Sequence, residues 1–157
     1  HASRAEANRA REDRKTIKIK LDKLKTLSDY IKETQIAVNS YVRERDKGKA
    51  CISCGSMLGS GDVGGAFDAG HFRSRGSSPH LRFDAERNIH GQCKRCNRYL
   101  SGNYSDYRSG LVSRIGLESV EKLEADNEPR KYTIEELKAI KCEYVAKLKE
   151  IKNENSK

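Results

Sequence analysis

Two cysteine pairs, Cys51-x-x-Cys54 and Cys93-x-x-Cys96, enclose 38 residues that hold every histidine of the chain except His1. Each pair offers two thiolates on one tight turn, and two such turns supply the four soft ligands that tetrahedral zinc prefers. A single C-x-x-C can be a redox site and a buried cysteine needs no function, but two separated pairs read as a structural zinc site. Nothing at the N-terminus resembles a secretory signal, which argues against disulfides. A second cluster lies between the pairs, Asp68-Ala-Gly-His71-Phe-Arg73-Ser-Arg75, and Asn97 directly follows the last cysteine.

This second cluster suits attack on a phosphodiester, which resists hydrolysis because the nucleophile is poor and charge builds on the phosphoryl oxygens and the leaving group. The ordinary pKa of His71 lets it take a proton from water near neutral pH. Asp68 and Asn97 are oxygen donors for a hard divalent cation, magnesium or in its place manganese, which would stabilise the developing charge. Arg73 and Arg75 would grip phosphates, and Arg82, Arg87, Lys94, Arg95 and Arg98 thicken the positive surface, positioning DNA without reading its sequence. The net charge of +9 and a pI near 9.4 fit a polyanionic partner. Each assignment has a plainer rival. Asp68 could orient a loop or an arginine, Asn97 could cap a helix, and the basic excess could serve solubility alone. His80, after Ser-Ser-Pro, reads as solvated or as a phosphate contact. His90 could compete as a zinc ligand, stand behind the cysteines, or touch phosphate.

The elements that must position these residues follow from pattern. With 35% apolar and 35% charged residues and no Trp, a chain of 157 residues has little material for a large core, so a metal staple would matter. No apolar run approaches a membrane span. Residues 1–15, charged and Ala-rich with no apolar face, predict a frayed helix at the boundary of a fragment. Ile17, Leu24, Ile31 and Val38 recur every seven residues, with Leu27 and Tyr41 between and Lys20 and Thr34 interrupting. Thr26-Leu-Ser28-Asp29 predicts a stop and a capped restart, hence two helices, whose stripe packs on the chain's own core or forms a dimer seam. Gly48 closes the second, and Gly55 to Gly65 predicts a flexible loop. Strands are expected within Ala66–Arg75 and at Leu81-Arg-Phe83, then a helix from Lys94 to Leu100 stopped by Gly102 and Asn103. Tyr107, Leu111, Val112 and Ile115 mark a helix ended by Gly116, and Val120 and Leu123 a short one. A last helix starts at the capping box Thr133-Ile-Glu-Glu136 with Leu137, Ile140, Tyr144, Leu148 and Ile151 on one face. Cys142 lies off that stripe as a spare thiol.

The C-x-x-C, extended His, C-x-x-C-N order resembles the zinc-stapled branch of the His-Me finger (HNH) nucleases, phage endonuclease VII in particular. It is more similar still to the phage lambda NinG (Rap) family of recombination nucleases. The likeness rests on Ala37-Val-Asn, Arg43-Glu-Arg-Asp46, Cys51-Ile-Ser-Cys-Gly55, Asp68-Ala-Gly-His71, Leu81-Arg-Phe83, Glu86-Arg-Asn-Ile-His90, Gln92-Cys93, Cys96-Asn97 and Ser101-Gly-Asn103. Ser113-Arg-Ile-Gly116, Thr133-Ile-Glu-Glu136 and Lys138-Ala-Ile-Lys141 extend it over roughly residues 16–150.

That resemblance implies an α+β, mostly helical protein with a small zinc-stapled ββα core at 48–110, between a basic N-terminal helical region at 1–47 and a C-terminal helical region at 111–157. It implies a structure-specific endonuclease of branched DNA such as Holliday junctions and D-loops, acting as a homodimer in the host cytoplasm, away from any membrane. His71 would be the general base, Asp68 and Asn97 the magnesium ligands, and Asn88 the brace of the loop behind the base, unless Asn88 merely forms a turn. The chain departs from the family in two ways. Gly70 stands where endonuclease VII has a metal-binding Asp, and the N-terminal cysteine cluster of NinG proteins is missing. The competing expectation is a zinc-stabilised DNA-binding or strand-annealing module that does not cut. A zinc scaffold for protein partners would leave the basic charge unexplained.

Overall fold

A computed structural model of the chain describes residues 2–59 and 66–155. Residues 60–65 of the expected glycine-rich loop, and His1, lie outside the described residues. Among the described residues the architecture is α+β and mostly helical, with five α-helices around one two-stranded antiparallel sheet.

Helix α1 (Ala2–Leu24) runs into α2 (Leu27–Arg45) across a two-residue break. Thr26 makes that break: its side chain accepts from the Asp29 backbone N–H while the Asp29 carboxylate accepts from the Thr26 N–H, a reciprocal cap that satisfies two otherwise orphaned donors. The sevenfold stripe divides at the same point. Val38 is fully buried and Ile31 packs beside it, whereas Ile17 and Leu24 remain 56% and 76% exposed. The stripe therefore serves the chain's own core only from α2 onward. Thr34, which interrupts the pattern, is buried and donates to the carbonyls of Tyr30 and Leu137.

The partner of α2 is the last helix, α5 (Ile134–Glu154), started by the Thr133 and Glu136 box. Leu137 and Tyr144 are buried against Val38, Tyr41 and Val42, with Ile140, Leu148 and Ile151 packed around them. A second cluster joins Phe72 and Leu81 to α3 (Tyr104–Ile115) and α4 (Leu117–Ala125) through Tyr107, Leu111, Val120 and Leu123. Gly110 on α3 allows this approach, since a Cβ there would run into the Ile52 carbonyl.

The sheet pairs β1 (Phe67–His71) with β2 (Ile89–Cys93), Asp68 opposite Gln92 and His71 opposite Ile89. The expected second strand at Leu81–Phe83 is not formed. Pro79 lacks a donor and opens a 3₁₀ turn to Leu81, and the next N–H groups bond locally, Arg82 to Pro79 O, Asp84 to Leu81 O and Ala85 to Phe83 O. A segment whose donors are committed to its own turns has none left for a ladder. The expected helix after β2 is a short π-helical turn, Arg95–Tyr99, ended by left-handed Ser101, Gly102 and Asn103.

A buried ion pair ties α2 to the sheet. Asp46 is 1% exposed, accepts the Gly91 N–H at 2.7 Å and meets Arg45, Lys49 and Arg114. Arg45 also donates to the carbonyls of Ala85 and Ile89. Burial alone would raise the Asp46 carboxyl, but the hydrogen bonds and charge of Arg45 and the Gly91 N–H outweigh it and hold it at about 2. Because that lies below the unfolded value of 3.8, its contribution to stability is complete above about pH 4 and is lost as pH falls toward 2. Asp46→Ala, which strands Arg45, is expected to cost about 3–5 kcal/mol in denaturant unfolding. In Asp46→Asn the loss of stability between pH 4 and 2 should shrink relative to the parent.

Candidate functional site

The four cysteines converge at the base of the sheet. The Sγ atoms of Cys51, Cys54, Cys93 and Cys96 all lie within 4.8 Å of one another. The Cys54–Cys93 separation of 3.8 Å matches the edge of a tetrahedron whose metal–sulfur bonds are about 2.3 Å. A disulfide would need about 2.05 Å, and all four are free thiols. N–H donors already point at the sulfurs, from Cys93 to Cys51, Cys96 to Cys93 and the Asn103 amide to Cys96. Hydrogen bonding with Ser56 draws the Cys54 thiol down to about 6, while burial pushes Cys96 up to about 12. The tetrad can hold a metal ion such as zinc, and His90 is not among its ligands.

His90 is instead 2% exposed and enclosed by cations. Arg45 and Arg114 reach its Nδ1 at 3.3 Å, and its Nε2–H faces the Arg87 carbonyl. Burial, then the two arginines, lowers it to about 4, so it is a neutral structural acceptor, out of reach of a phosphate. His80 bonds Asp126 and, through its own carbonyl, Tyr132.

His71, Asp68 and Asn97 share one open cavity of about 420 Å³ with Arg75 and Arg98. His71 closes β1, and its Nε2 lies 3.1 Å from the Arg82 carbonyl. A carbonyl only accepts, so Nε2 carries the proton and the lone pair remains on Nδ1. Burial is the main reason its pKa falls to about 4, with Arg75 and Arg82 lowering it further against that carbonyl. At neutral pH the imidazole is uncharged.

Asn97 reaches from the π-helical turn to β1, its Nδ2 donating to Asp68 Oδ2 at 2.9 Å. This contact, not a cap, fixes its direction. Arg98 pairs with both Asp68 oxygens at 2.7 Å and, ahead of Asn97, holds that carboxyl below its usual range. Gly70 has no room for the missing Asp, since a Cβ there would strike the Gln92 side chain. Asp68 is thus the carboxylate the fold offers.

Asn88, fully buried, sits behind the site. Its side chain accepts from the Arg73 N–H and donates to the carbonyls of Arg73 and Leu81, tying both arms of the loop that carries Arg82.

The arginines divide. Arg73 differs from its expected phosphate grip, because its guanidinium is committed to the carbonyls of Leu123, Glu124 and Asp126 and to Asn127, closing the C-terminus of α4. Arg87 pairs with Asp84 and lines a different cavity. Arg82 bonds Gln35 on α2. Lys94 and Arg95 begin the turn that carries Asn97. Unforeseen in the sequence, Asn39 and Arg43 of α2 also line the His71 cavity. Successive four-residue steps from Gln35 place all three on one helix face, a signal obscured because the apolar stripe dominates α2.

Fold and site thus define a basic α+β protein with four thiols able to hold a metal ion next to a histidine-bearing cleft. The family model for bacteriophage lambda NinG protein matches residues 1–154, and the chain belongs to the NinG family. It is 47% identical over 140 residues to protein ninG of Escherichia phage lambda, covering 89% of this chain and 66% of that protein. Protein ninG of Salmonella phage P22 is 46% identical, with the same coverage, and that of Escherichia phage 933W 45%. The chain spans about two thirds of the length of these relatives. No solved structure matches it significantly. Among the described residues, no helix is long and apolar enough to cross a membrane.

The thiol centre yields a direct expectation. Metal analysis of the purified chain should find one ion such as zinc, and Cys93→Ser should lose it with a large fall in melting temperature, since such sites contribute on the order of 10 kcal/mol of folding energy. A variant that keeps both ion and stability would show that the tetrad is not the metal site.

Proposed function

We propose that this chain is the catalytic part of a structure-specific DNA endonuclease that hydrolyses phosphodiesters in branched recombination intermediates, with zinc at the cysteine tetrad. The observation that carries the reading is the placement of His71: its Nε2 is held by the Arg82 carbonyl, which leaves Nδ1 as the basic nitrogen, and the residue lines one cavity with Asp68 and Asn97. A buried neutral imidazole with one nitrogen fixed is a base prepared to accept a proton from water. We read β1, β2 and the turn bearing Asn97 as the ββα unit of a His-Me finger, pinned by the tetrad.

The oxygen pair suits a hard cation. Asp68 and Asn97 are hydrogen-bonded neighbours, a turn of the Asn97 amide would bring its oxygen to the same ion, and the competing Arg98 side chain is 55% exposed, free to turn toward a phosphate. Magnesium bound there, or manganese, would stabilise charge on the phosphoryl oxygens and the departing 3′ oxygen. His71 Nδ1 takes the proton from the attacking water. Arg43 and Arg75 carry no ion pair among the described residues and face the same cavity, so they position the phosphate. Relief of strain in a branched substrate and pairing of two copies would complete the family's implied role.

One feature favours the non-cutting DNA-binding reading, the Arg98–Asp68 pair that occupies the carboxylate. A single experiment separates the two. Labelled Holliday junction, D-loop and linear duplex are incubated with and without magnesium, and cleavage at or near the branch, leaving 5′-phosphate ends, is expected only with the metal. His71→Ala should cut about 10²- to 10⁴-fold more slowly with junction affinity nearly unchanged. Because His71 titrates near 4 in the free protein, the acid limb of kcat/KM should fall well below the ordinary histidine value of about 6.5. Absence of cleavage under every metal, or His71→Ala cutting as fast as the parent, would overturn the assignment.

A further inference from the structure

The NinG reading accounts for cations and oxygens around His71, but the aromatic residues on its other side have no role in it. Seven Tyr and three Phe make up the aromatic content, and Tyr99 (81%) and Tyr104 (53%) are the large exposed aromatics among the described residues. Both fall just after Asn97. Tyr104 lies flat on Phe72, the residue following His71, with ring centroids 4.7 Å apart and planes within 11°. Its hydroxyl donates to Glu124, which Arg108 clamps from the other side at 2.8 and 2.9 Å. The ring is therefore immobilised, one face covered by buried Phe72 while the residue stays 53% exposed, and it lines a cavity of about 340 Å³ together with His71, Ser74, Ser77 and Gly102. That cavity shares His71, Ser74, Ser101 and Gly102 with the basic one, so a continuous groove passes the imidazole with arginines at one end and an aromatic plate at the other.

We propose that Tyr104, backed by Phe72, is a stacking platform for an unpaired nucleobase next to the phosphate held at His71. Cations at one end hold the backbone, and a rigid π-face at the other takes a base at little entropic cost, the combination by which proteins bind single-stranded nucleic acid without reading sequence. A base inside a duplex has both faces covered by its neighbours and cannot present one to Tyr104. The groove accordingly selects DNA with an unpaired nucleotide at a branch, which specifies the substrate class of the nuclease reading on which this inference rests.

The test uses DNA binding without magnesium, so that it does not depend on cutting. A splayed-arm DNA carries 5-iodouracil at successive unpaired positions beside the branch, and a blunt duplex carries it internally. Irradiation should crosslink the splayed arm to Tyr104, located by mass spectrometry, and leave the duplex unlinked. Tyr104→Ala should bind the splayed arm about 5- to 100-fold more weakly and the duplex within about twofold of the parent, while Tyr104→Phe retains both affinities. The platform is wrong if the parent forms no crosslink at Tyr104 from any unpaired position, an outcome independent of how the variants fold, or if Tyr104→Ala weakens both DNAs alike. Crosslinking by a protein that never cleaves would sink the catalytic reading and leave the platform standing, whereas cleavage without crosslinking would do the reverse.

Discussion

A carboxylate taken out of water beside an arginine sets the geometry of this protein. Asp46 ends α2, accepts the Gly91 N–H in the middle of β2, and holds Arg45, which in turn reaches the carbonyls of Ala85 and Ile89. Burying such a pair is costly unless every lone pair and proton finds a partner, and here the partners come from α2, the sheet and the loop before β2. The helix cannot shift along the sheet without stranding a charge. Gly91 belongs to the same constraint, since a Cβ at that position would meet Leu58, Asp46 and Phe67. With a core as small as the composition permits, directional bonds of this kind fix what apolar packing alone would leave loose.

The orientation of His71 follows from that frame through two further links. The loop from 72 to 88 has little regular structure, yet Asn88 closes it from inside through three hydrogen bonds to Arg73 and Leu81. Gln35 on α2 holds the Arg82 side chain from outside and is itself oriented by Asn39. Arg82 thus presents its carbonyl to Nε2 from a position set by α2, the element that Asp46 anchors. Tyr107 adds a floor, donating to the Gly70 carbonyl and accepting the His90 N–H, so the Gly70–His90 pair of the hairpin is fixed from α3 as well.

What could be read from the residues, and what could not, has a consistent physical division. The thiol tetrad, both capping boxes and the α5 stripe were legible because each is a short-range rule, with ligands two apart, a cap three apart, or a 3.6 period. The second strand was misplaced because Leu81-Arg-Phe83 alternates as a half-buried strand should, while Ile-His-Gly-Gln-Cys does not. The true strand is buried on both faces and carries polar side chains, such as Gln92, whose amide N–H groups bond Ser53 and the Gly102 carbonyl, which erases the alternation. Leu81 and Phe83 are both buried as the pattern implied, but into two different clusters from a turn. Arg73 looks like a phosphate grip in the sequence because a cation next to a histidine gives no hint of a helix end arriving from 50 residues away. The heptad failed over α1 for a related reason: period alone does not say whether a partner is present.

The separation of the arginines into committed and free ones bears on how a base with so low a pKa can serve near neutral pH. In the free protein burial and the charge on Arg75 oppose protonation of His71. On the nuclease reading, a phosphate arriving in the cavity brings negative charge to the same place and pairs with Arg43 and Arg75. An anion close to an imidazole favours its charged form, so the proton affinity of Nδ1 rises as the substrate enters. The same step draws Arg98 from Asp68 toward the backbone, which frees the carboxylate beside Asn97. Histidine, carboxylate and amide would then become competent together and only on DNA, while the cysteine tetrad, the Asp46 pair and the Asn88 brace remain as they are.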